Sequence, residues 1–336
     1  MDFLVENVYT QLGEIHSYKQ KNLEFLELWK QFGKNSKDDF FASAVERQFS
    51  RIPGCGHFVQ FAISRQAETA RISRADFCRS RLCPLCQKRK SLRLYSNLCS
   101  ILDPIKEDYR FIHLTLTVPN CTPEEAPGVI SKLFVSSRKL FSHERIKKSF
   151  KGIFRALEVS YNSDSRELHP HLHCLVLVKP SYFNSRDYIS YSDIRELWGK
   201  FCGIENPQVF LRKVDNLASA LNEVVKYSAK PFERKEESDE EFFNYLKFVG
   251  YALKGRRLHQ CFGVVAEQSK KFHLQDLEED EILEEAPEDE YHVNFEYFSD
   301  SREYVHSNPA LEERKLHHFI NYKERIYKRE WESLYK

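Results

Sequence analysis

Runs of apolar and β-branched residues predict the strands of one antiparallel sheet. The run FIHLTLTVPN (residues 111–120) is rich in β-branched and apolar residues and stops at Pro119, which is typical of a buried strand. GIFRALEVSY (152–161) and HLHCLVLV (171–178) follow, and the turn-forming NSDS between them predicts a hairpin. Two shorter runs predict further strands, QVFLRKV (208–214) and FGVVAE (262–267).

Apolar positions at helical spacing separate these strands. The segment TPEE (122–125) offers an N-cap, a proline at the first helical position and early acids, and it predicts a helix from about 123 to 147. Similar patterns predict helices at 193–201 and 217–230, and two more within residues 1–50. Because helices and strands are interleaved around hairpin-connected strands, the pattern predicts an α+β fold on an antiparallel sheet.

Charge is segregated along the chain, although the net charge is only +1. Residues 275–290 hold ten acids and no base, and residues 233–241 hold six acids and two bases. Without these stretches, which contribute −10 and −4, the remainder carries +15. Such a basic body suits a polyanionic partner such as nucleic acid, whereas the acidic stretches are typical of solvated loops or linkers.

Composition also excludes several classes of protein. With 41% hydrophobic and 30% charged residues, 11 Gly and 12 Pro, the chain is neither collagenous nor wholly disordered. No apolar run approaches the roughly 20 residues that span a bilayer, and the N-terminus MDFLVENVYT does not have the pattern of a signal peptide. We therefore expect a cytoplasmic protein without a membrane partner.

Four of the nine cysteines lie close together, in a segment rich in Gly, Pro and basic residues. Cys83 and Cys86 form a CxxC pair, and Cys78 and Cys55, which precede them in the same segment, are the obvious additional thiols. Reduced thiols at this spacing predict a structural Zn²⁺ site, with His57 as an alternative ligand in place of a cysteine. The predicted organisation is a helical region (1–50), a zinc-binding module (51–95), the antiparallel-sheet domain (96–267), and an acidic linker with a C-terminal tail (268–336).

A second candidate metal site lies in the sequence HPHLH (169–173) at the start of a predicted strand. His171 and His173 share one face because side chains alternate along a strand. Glu158 in the neighbouring strand would lie opposite position 169 or 171, and a carboxylate inside an apolar strand is costly unless it is paired or metal-bound. These residues predict a divalent-metal site, with His169 and Glu167 as weaker alternative ligands.

The predicted helix at 217–230 carries a third group of reactive side chains. Glu223 and Tyr227 are spaced i, i+4 on one helical face, and Lys230 lies beside the tyrosine. A phenol, a carboxylate and an ammonium on one stripe are the components of an activated nucleophile.

Taken in order, these segments carry a family resemblance. FIHLTLTVPN, HPHLH and EVVKYSAK resemble the three motifs of the HUH endonucleases, and in detail they look like those of replication initiator (Rep) proteins of small rolling-circle plasmids. CRSRLCPLCQKRKS is similar to a segment that precedes the first motif in that family, and ALKGRRLHQCFGVVAE resembles its closing segment. The resemblance covers residues 52–267 and implies that 96–267 is an HUH endonuclease domain of the single-tyrosine subtype.

The resemblance implies a function and a set of site residues. His171, His173 and Glu158 would bind Mg²⁺ or Mn²⁺, and Tyr227 would attack a scissile phosphate of origin DNA to leave a 5′-phosphotyrosyl link and a 3′-OH primer. Lys230 would steady the nucleotide, and Glu223 would activate the water that ends replication. The implied partners are single- and double-stranded origin DNA together with a host helicase and polymerase. Two departures from the family pattern, His113 in the first motif and the charged insertion at 232–250, are expected to contact none of the proposed ligands.

Two alternatives remain open at this point. A single-tyrosine transposase or relaxase would share the chemistry, although relaxases usually carry the tyrosine near the N-terminus and Tyr227 follows the histidines. A non-enzymatic zinc-containing DNA-binding regulator would need neither Tyr227 nor the histidines.

Overall fold

A computed structural model describes residues 2–33, 39–64, 70–228, 232, 238–272 and 290–306. Every strand pair within these ranges is antiparallel, which confirms the predicted α+β class. The strands are β1 (Phe58–Ser64), β2 (Ala70–Ala75), β3 (Arg110–Thr117), β4 (Phe150–Asn162), β5 (Glu167–Val178), β6 (Val209–Val214), β7 (His259–Gly263), β8 (Glu290–Phe298) and β9 (Glu303–His306). The helices are α1 (Asp2–Leu28), α2 (Phe40–Phe49), α3 (Pro84–Leu102), α4 (Ala126–Ser142), α5 (Glu144–Ser149), α6 (Tyr191–Cys202), α7 (Leu217–Ser228), α8 (Asp239–Ala252) and α9 (Val264–Lys271).

The described residues form two compact units. One unit contains the described residues within the ranges 1–27, 48–86 and 280–336, and the other contains those within 28–47 and 87–279. Each unit contains one sheet, a four-stranded sheet in the first and a five-stranded sheet in the second. No helix in the described part of the chain is long and apolar enough to cross a membrane.

The five-stranded sheet has the order β6-β3-β5-β4-β7, so the predicted hairpin β4–β5 lies near its centre. Asn162 begins the turn, and its Oδ1 accepts hydrogen bonds from the backbone N–H groups of Asp164 (2.9 Å) and Ser165 (3.2 Å). This Asx-type turn fixes the register of the two strands. Val176 and its neighbours in β5 are fully buried, because helices cover both faces of the sheet.

One face of this sheet packs against α3, α7 and α9. The helix α7 turns Ala220, Leu221 and Val224 toward the sheet, where they meet Phe154 and Leu175. This spacing is the i, i+1, i+4 stripe of an amphipathic helix, and it fixes which side of α7 faces the strands.

The opposite face is covered by α4. Arg155 follows Phe154 in β4, so its side chain lies on this opposite face. Its Nη1 donates a hydrogen bond to Ser137 Oγ in α4 at 2.7 Å. Trp198 of α6 is fully buried and donates from Nε1 to the carbonyl oxygen of Thr117 at 2.8 Å.

The four-stranded sheet has the order β2-β1-β8-β9. In β8, Val293, Phe295 and Tyr297 are buried, whereas the residues between them are not, so β8 shows the period-2 pattern of a half-buried strand. The predicted tail at 268–336 therefore contributes two strands to this sheet, because β8 pairs with β1 and β9 pairs with β8. Residues 273–289 and 307–336, which include most of the acidic run and the remainder of the tail, lie outside the described residues.

Two predicted elements, a helix and a strand, differ from the structure. The predicted helix at 123–147 is divided, because His143 has an extended backbone (φ −62°, ψ 136°) that ends α4 and begins α5. The predicted strand FGVVAE is wrong beyond Gly263, whose φ of 56° ends β7 and starts α9 at Val264. Gly263 also lies so close to the backbone of Lys151 that a Cβ atom there would clash.

The prediction of a solvated loop or linker within the charged insertion at 232–250 is also wrong in part. This insertion contains most of α8, an amphipathic helix that begins at the N-cap Ser238 and has three acids in its first turn. Phe242, Phe243 and Leu246 are buried on its inner face. Three of the six acids in the stretch 233–241, namely Asp239, Glu240 and Glu241, therefore lie in the first turn of a packed helix, where they interact favourably with the helix dipole. The other three lie outside the described residues.

Candidate functional site

The hairpin β4–β5 brings together three of the predicted metal ligands. Glu158 pairs directly with His171, which is one of the two registers that the sequence allowed, and Ala156 pairs with His173. Glu158 Oε2 lies 2.6 Å from His171 Nε2 and 3.0 Å from His173 Nε2. The two imidazoles and the carboxylate thus converge on one point of the sheet face.

Burial and hydrogen bonding act in opposite directions on this group. Only 14% of the Glu158 side chain is exposed, and burial alone would raise its pKa. The hydrogen bonds and charges of His171 and His173 outweigh burial and hold the pKa of Glu158 near 2. The carboxylate is therefore ionised at neutral pH. Burial lowers the pKa of His173, which favours the neutral imidazole that binds metals.

The geometry of these residues fits a divalent cation. Their ligand atoms all lie within 4.8 Å of one another. Octahedral coordination with bonds of about 2.1 Å places neighbouring ligand atoms about 3 Å apart, close to the observed separations from the Glu158 oxygen. One carboxylate and two imidazoles suit either Mg²⁺ or Mn²⁺, with Mn²⁺ more tolerant of nitrogen ligands.

The weaker alternatives do not join this group. His169 is near His171, with ring centroids 5.2 Å apart, but it is not among the residues whose ligand atoms converge. Glu167 accepts a hydrogen bond from Asn120 Nδ2 at 3.1 Å.

His113 contacts a proposed ligand, contrary to the expectation from sequence. Its ring stacks on His173, with centroids 5.5 Å apart and an interplanar angle of 19°. Thr115 Oγ1, from the same strand, lies 3.4 Å from His173 Nδ1. The period of β3 places positions 113 and 115 on one face, and the pairing of Thr115 with His173, which only the fold sets, brings His113 beside His173.

Helix α7 places Glu223 over the face of the sheet that carries His113 and His173. Glu223 Oε2 accepts a hydrogen bond from Arg212 Nη2 at 2.6 Å, and Arg212 pairs with His113 between β6 and β3. The negative charge of Glu223 opposes the lowering of the pKa of both His113 and His173 by burial, so this carboxylate lies within electrostatic reach of the histidine cluster. The partner Arg212 was not identified from the sequence.

The remaining residues of the third motif are described less fully. Tyr227 belongs to α7, four positions after Glu223, and its side chain lies outside the described part of the structure. Lys230 also lies outside the described residues.

The four cysteines of the predicted zinc site form a separate buried cluster. The sulfur of Cys55 lies 3.4 Å from that of Cys83 and 3.6 Å from that of Cys86, and the sulfurs of Cys78 and Cys86 are 3.7 Å apart. Tetrahedral Zn²⁺ with Zn–S bonds of about 2.3 Å separates its sulfurs by about 3.8 Å, so the cluster could hold this ion. His57 is exposed and is not part of this group.

A buried lysine accompanies the cysteines. Lys19 is 2% exposed, and its Nζ donates to the carbonyl oxygens of Pro53 (2.7 Å) and Cys55 (2.8 Å). Burial lowers the pKa of Lys19, while negative charge on Cys55 and Cys83 would raise it. Because Zn²⁺ with four thiolates carries a net negative charge, an ammonium at this position would offset the cost of burying it. No local sequence pattern pointed to Lys19.

We expect Cys83→Ser to lower the free energy of unfolding by more than about 4 kcal/mol, because loss of one thiolate weakens a zinc site that crosslinks three segments. Chemical denaturation would measure the loss, and elemental analysis should find one zinc per wild-type chain. Cys99→Ser, at a cysteine outside the cluster, is the control and should retain the zinc. The prediction would be contradicted if the purified wild-type protein contained no zinc, or if Cys83→Ser had the same free energy of unfolding as the wild type.

Comparison with known proteins points to one family. A family model described as replication protein matches residues 69–305. A "Protein rep" of Bacillus amyloliquefaciens is 30% identical over 273 residues, which cover 74% of this chain and 80% of the relative. A "Protein rep" of Bacillus sp. is 29% identical over 267 residues (73% and 85%), and one of Staphylococcus aureus is 34% identical over 190 residues (55% and 83%). No solved structure matches the chain significantly.

Proposed function

Because the chain belongs to the replication protein family, we propose that it initiates rolling-circle replication of a plasmid by nicking one strand of the origin. The family match covers the motifs on which the resemblance to plasmid Rep proteins depends. The nicking chemistry is the part that we propose here, and it would make the protein an HUH endonuclease and strand transferase.

One observation carries the proposal: Glu158, His171 and His173 converge on the sheet face that also receives Glu223 from α7. A purely DNA-binding regulator gains nothing from a buried carboxylate between two imidazoles, because burying such a group is costly. Metal-assisted transfer of a phosphodiester to tyrosine needs ligands for a divalent cation and a nearby tyrosine nucleophile. The three converging ligands supply the first, and α7 carries the tyrosine.

In the proposed reaction, the Tyr227 hydroxyl oxygen attacks the scissile phosphorus. The bond from phosphorus to the 3′ oxygen breaks, so the 5′-phosphate becomes linked to Tyr227 and a 3′-OH is released as a primer. A divalent cation held by Glu158, His171 and His173 would supply charge neutralisation and orientation at the phosphate when bound. Lys230 is proposed to steady the nucleotide.

Glu223 is proposed to act in the terminating step. It would accept a proton from the water that hydrolyses the second phosphodiester, so that the second cleavage does not need another tyrosine. The hydrogen bond from Arg212 holds one oxygen of this carboxylate in a fixed position, which helps to orient a general base. Its side chain is 32% exposed, which leaves it accessible to water and substrate.

Basic residues of the predicted zinc-binding module (51–95) are proposed to contact double-stranded origin DNA. Arg71, Arg74 and Arg79 are exposed on this module. Guanidinium groups bind phosphate oxygens without reading sequence, so they would supply affinity and salt dependence. Single-stranded DNA would occupy the histidine site, and a host helicase and polymerase would use the exposed strand and the 3′-OH.

Incubation with supercoiled origin plasmid and Mn²⁺ tests this proposal. We expect open circles and protein attached to the 5′ end of the cleaved strand, seen after denaturation in SDS. Retarded but uncleaved plasmid under all divalent ions would instead favour the non-enzymatic regulator. Equal cleavage of plasmids without the origin would contradict site-specific initiation, and joining of unrelated ends would favour a transposase.

A further inference from the structure

A cavity of about 270 Å³ lies beside β4 and β7 and is rich in arginine. Phe134 and Arg138 of α4 line one side, and Arg155 of β4 lies at its wall. Gly255, Arg256 and Arg257 from the segment before β7 complete it, together with His259 and Gln260 at the start of β7. This segment belongs to ALKGRRLHQCFGVVAE, the closing motif of the resemblance, for which the proposed reaction has no role.

Arg155 is a buried cation with neutral hydrogen-bond partners. It is 3% exposed, and its two Nη atoms donate to Ser137 Oγ (2.7 Å) and Gln260 Oε1 (3.0 Å). Its Nε has no hydrogen-bond partner among the described residues, and no described carboxylate forms an ion pair with it. Burial lowers the pKa of Arg155 to about 10. A buried guanidinium without an anion is costly, so its placement calls for a ligand.

Two neighbouring arginines, Arg256 and Arg138, also line the cavity beside Arg155. Arg256 donates to the carbonyl oxygens of Ala252 (3.0 Å) and Pro127 (2.6 Å) and to Ser131 Oγ (3.1 Å), which fixes its side chain between α4 and α8. The positive charge of Arg138 lowers the pKa of Arg155 further. Like charges that converge at a cavity repel one another, and a bound anion would relieve that repulsion.

Aromatic contacts account for part of this arrangement only. The Arg155 guanidinium lies 4.4 Å from the centroid of Phe134 and 5.7 Å from that of Phe262. Such contacts stabilise a cation, but they do not satisfy the Nε donor and do not explain why Arg138 lines the same cavity.

We propose that this cavity binds a phosphate group, supplied either by a DNA strand or by a free nucleotide. Arginine presents a planar fork of donors that matches phosphate oxygens, and the volume suits a phosphate with its sugar better than a larger ligand. The site is distinct from the histidine cluster: Arg155 and Glu158 are three residues apart on β4, so they lie on opposite faces of the sheet. The proposal goes beyond the nicking reaction and does not depend on it.

Calorimetric titration of the intact protein, without added divalent cations, tests the site with three probes: inorganic phosphate, dTMP and a 12-nucleotide oligo(dT). Wild-type protein should bind at least one of them, and Arg138→Gln should weaken that binding about tenfold, as expected for the loss of one charge-assisted contact. Arg138 is exposed, so this variant should keep the fold. Arg155→Gln should weaken binding at least as much. Lys139→Gln removes a neighbouring exposed charge on α4 that does not line the cavity, and it should bind like the wild type.

The probes distinguish the two sources of phosphate. If Arg138→Gln binds phosphate or dTMP more weakly than the wild type does, the cavity is a site for free nucleotides. If Arg138→Gln loses affinity only for oligo(dT), the cavity binds the backbone of a DNA strand. The proposal is overturned if wild-type protein binds none of the three probes, if Arg138→Gln binds as tightly as the wild type, or if Lys139→Gln loses as much affinity. Because the readout is binding, a failure of nicking would not affect the result.

Discussion

Tyr227→Phe is expected to abolish both plasmid nicking and the covalent protein–DNA adduct. The substitution keeps the aromatic ring but removes the only oxygen that can form the proposed phosphotyrosyl bond, so neither product has another route. Nicking of end-labelled supercoiled plasmid, followed by SDS gel electrophoresis, measures both products in one experiment. The matched control is Tyr191→Phe, at an exposed tyrosine of α6, which should nick like the wild type.

Glu223→Gln should separate initiation from termination in the same assay. The glutamine can still accept a hydrogen bond from Arg212, but it cannot accept a proton from water, so the first nick should survive while hydrolytic release fails. The expected products are persistent protein-linked DNA and strands longer than one plasmid unit. If Glu223→Gln blocks the first nick as completely as Tyr227→Phe, Glu223 is instead the base for the tyrosine or a metal ligand. Residual adduct in Tyr227→Phe would assign the nucleophile to another residue.

His173→Ala is expected to reduce nicking by at least about 100-fold and to leave binding of double-stranded origin DNA nearly unchanged. The substitution removes one of three ligands that converge within 4.8 Å, and even changes to groups around metal ligands commonly cost 10- to 100-fold. Duplex affinity should persist because it comes from arginine and lysine contacts to phosphates. Nicking rates at several Mn²⁺ concentrations, Mn²⁺ affinity by electron paramagnetic resonance and duplex binding by gel retardation measure the three quantities.

Two related variants sharpen this test. His171→Ala should behave like His173→Ala, and Glu158→Ala should have a similar but smaller effect. His169→Ala is the matched control, since His169 shares the strand but not the ligand group, and it should retain nicking and Mn²⁺ affinity. A near wild-type rate for His173→Ala in Mn²⁺, or loss of Mn²⁺ binding only in His169→Ala, would contradict the assigned ligand set.

The sequence by itself determined the elements whose signals are local. Period-2 alternation placed His171 and His173 on one face, and CxxC spacing with two nearby thiols selected the four cysteines that the structure brings together. The turn residues of NSDS predicted the β4–β5 hairpin. These signals depend on neighbours within a few residues, and so they survive without knowledge of the fold.

Only the tertiary structure decided which distant residues meet. Whether Glu158 lies opposite His171 or His169 depends on strand register, and a shift of one residue would have turned its carboxylate to the other face. The return of β8 to β1, the stacking of His113 on His173, the burial of Lys19 beside Cys55 and the gathering of arginines around Arg155 all join segments far apart in sequence. No local pattern encodes such pairs, because their energies arise from burial and charge that exist only once the sheets and helices have packed.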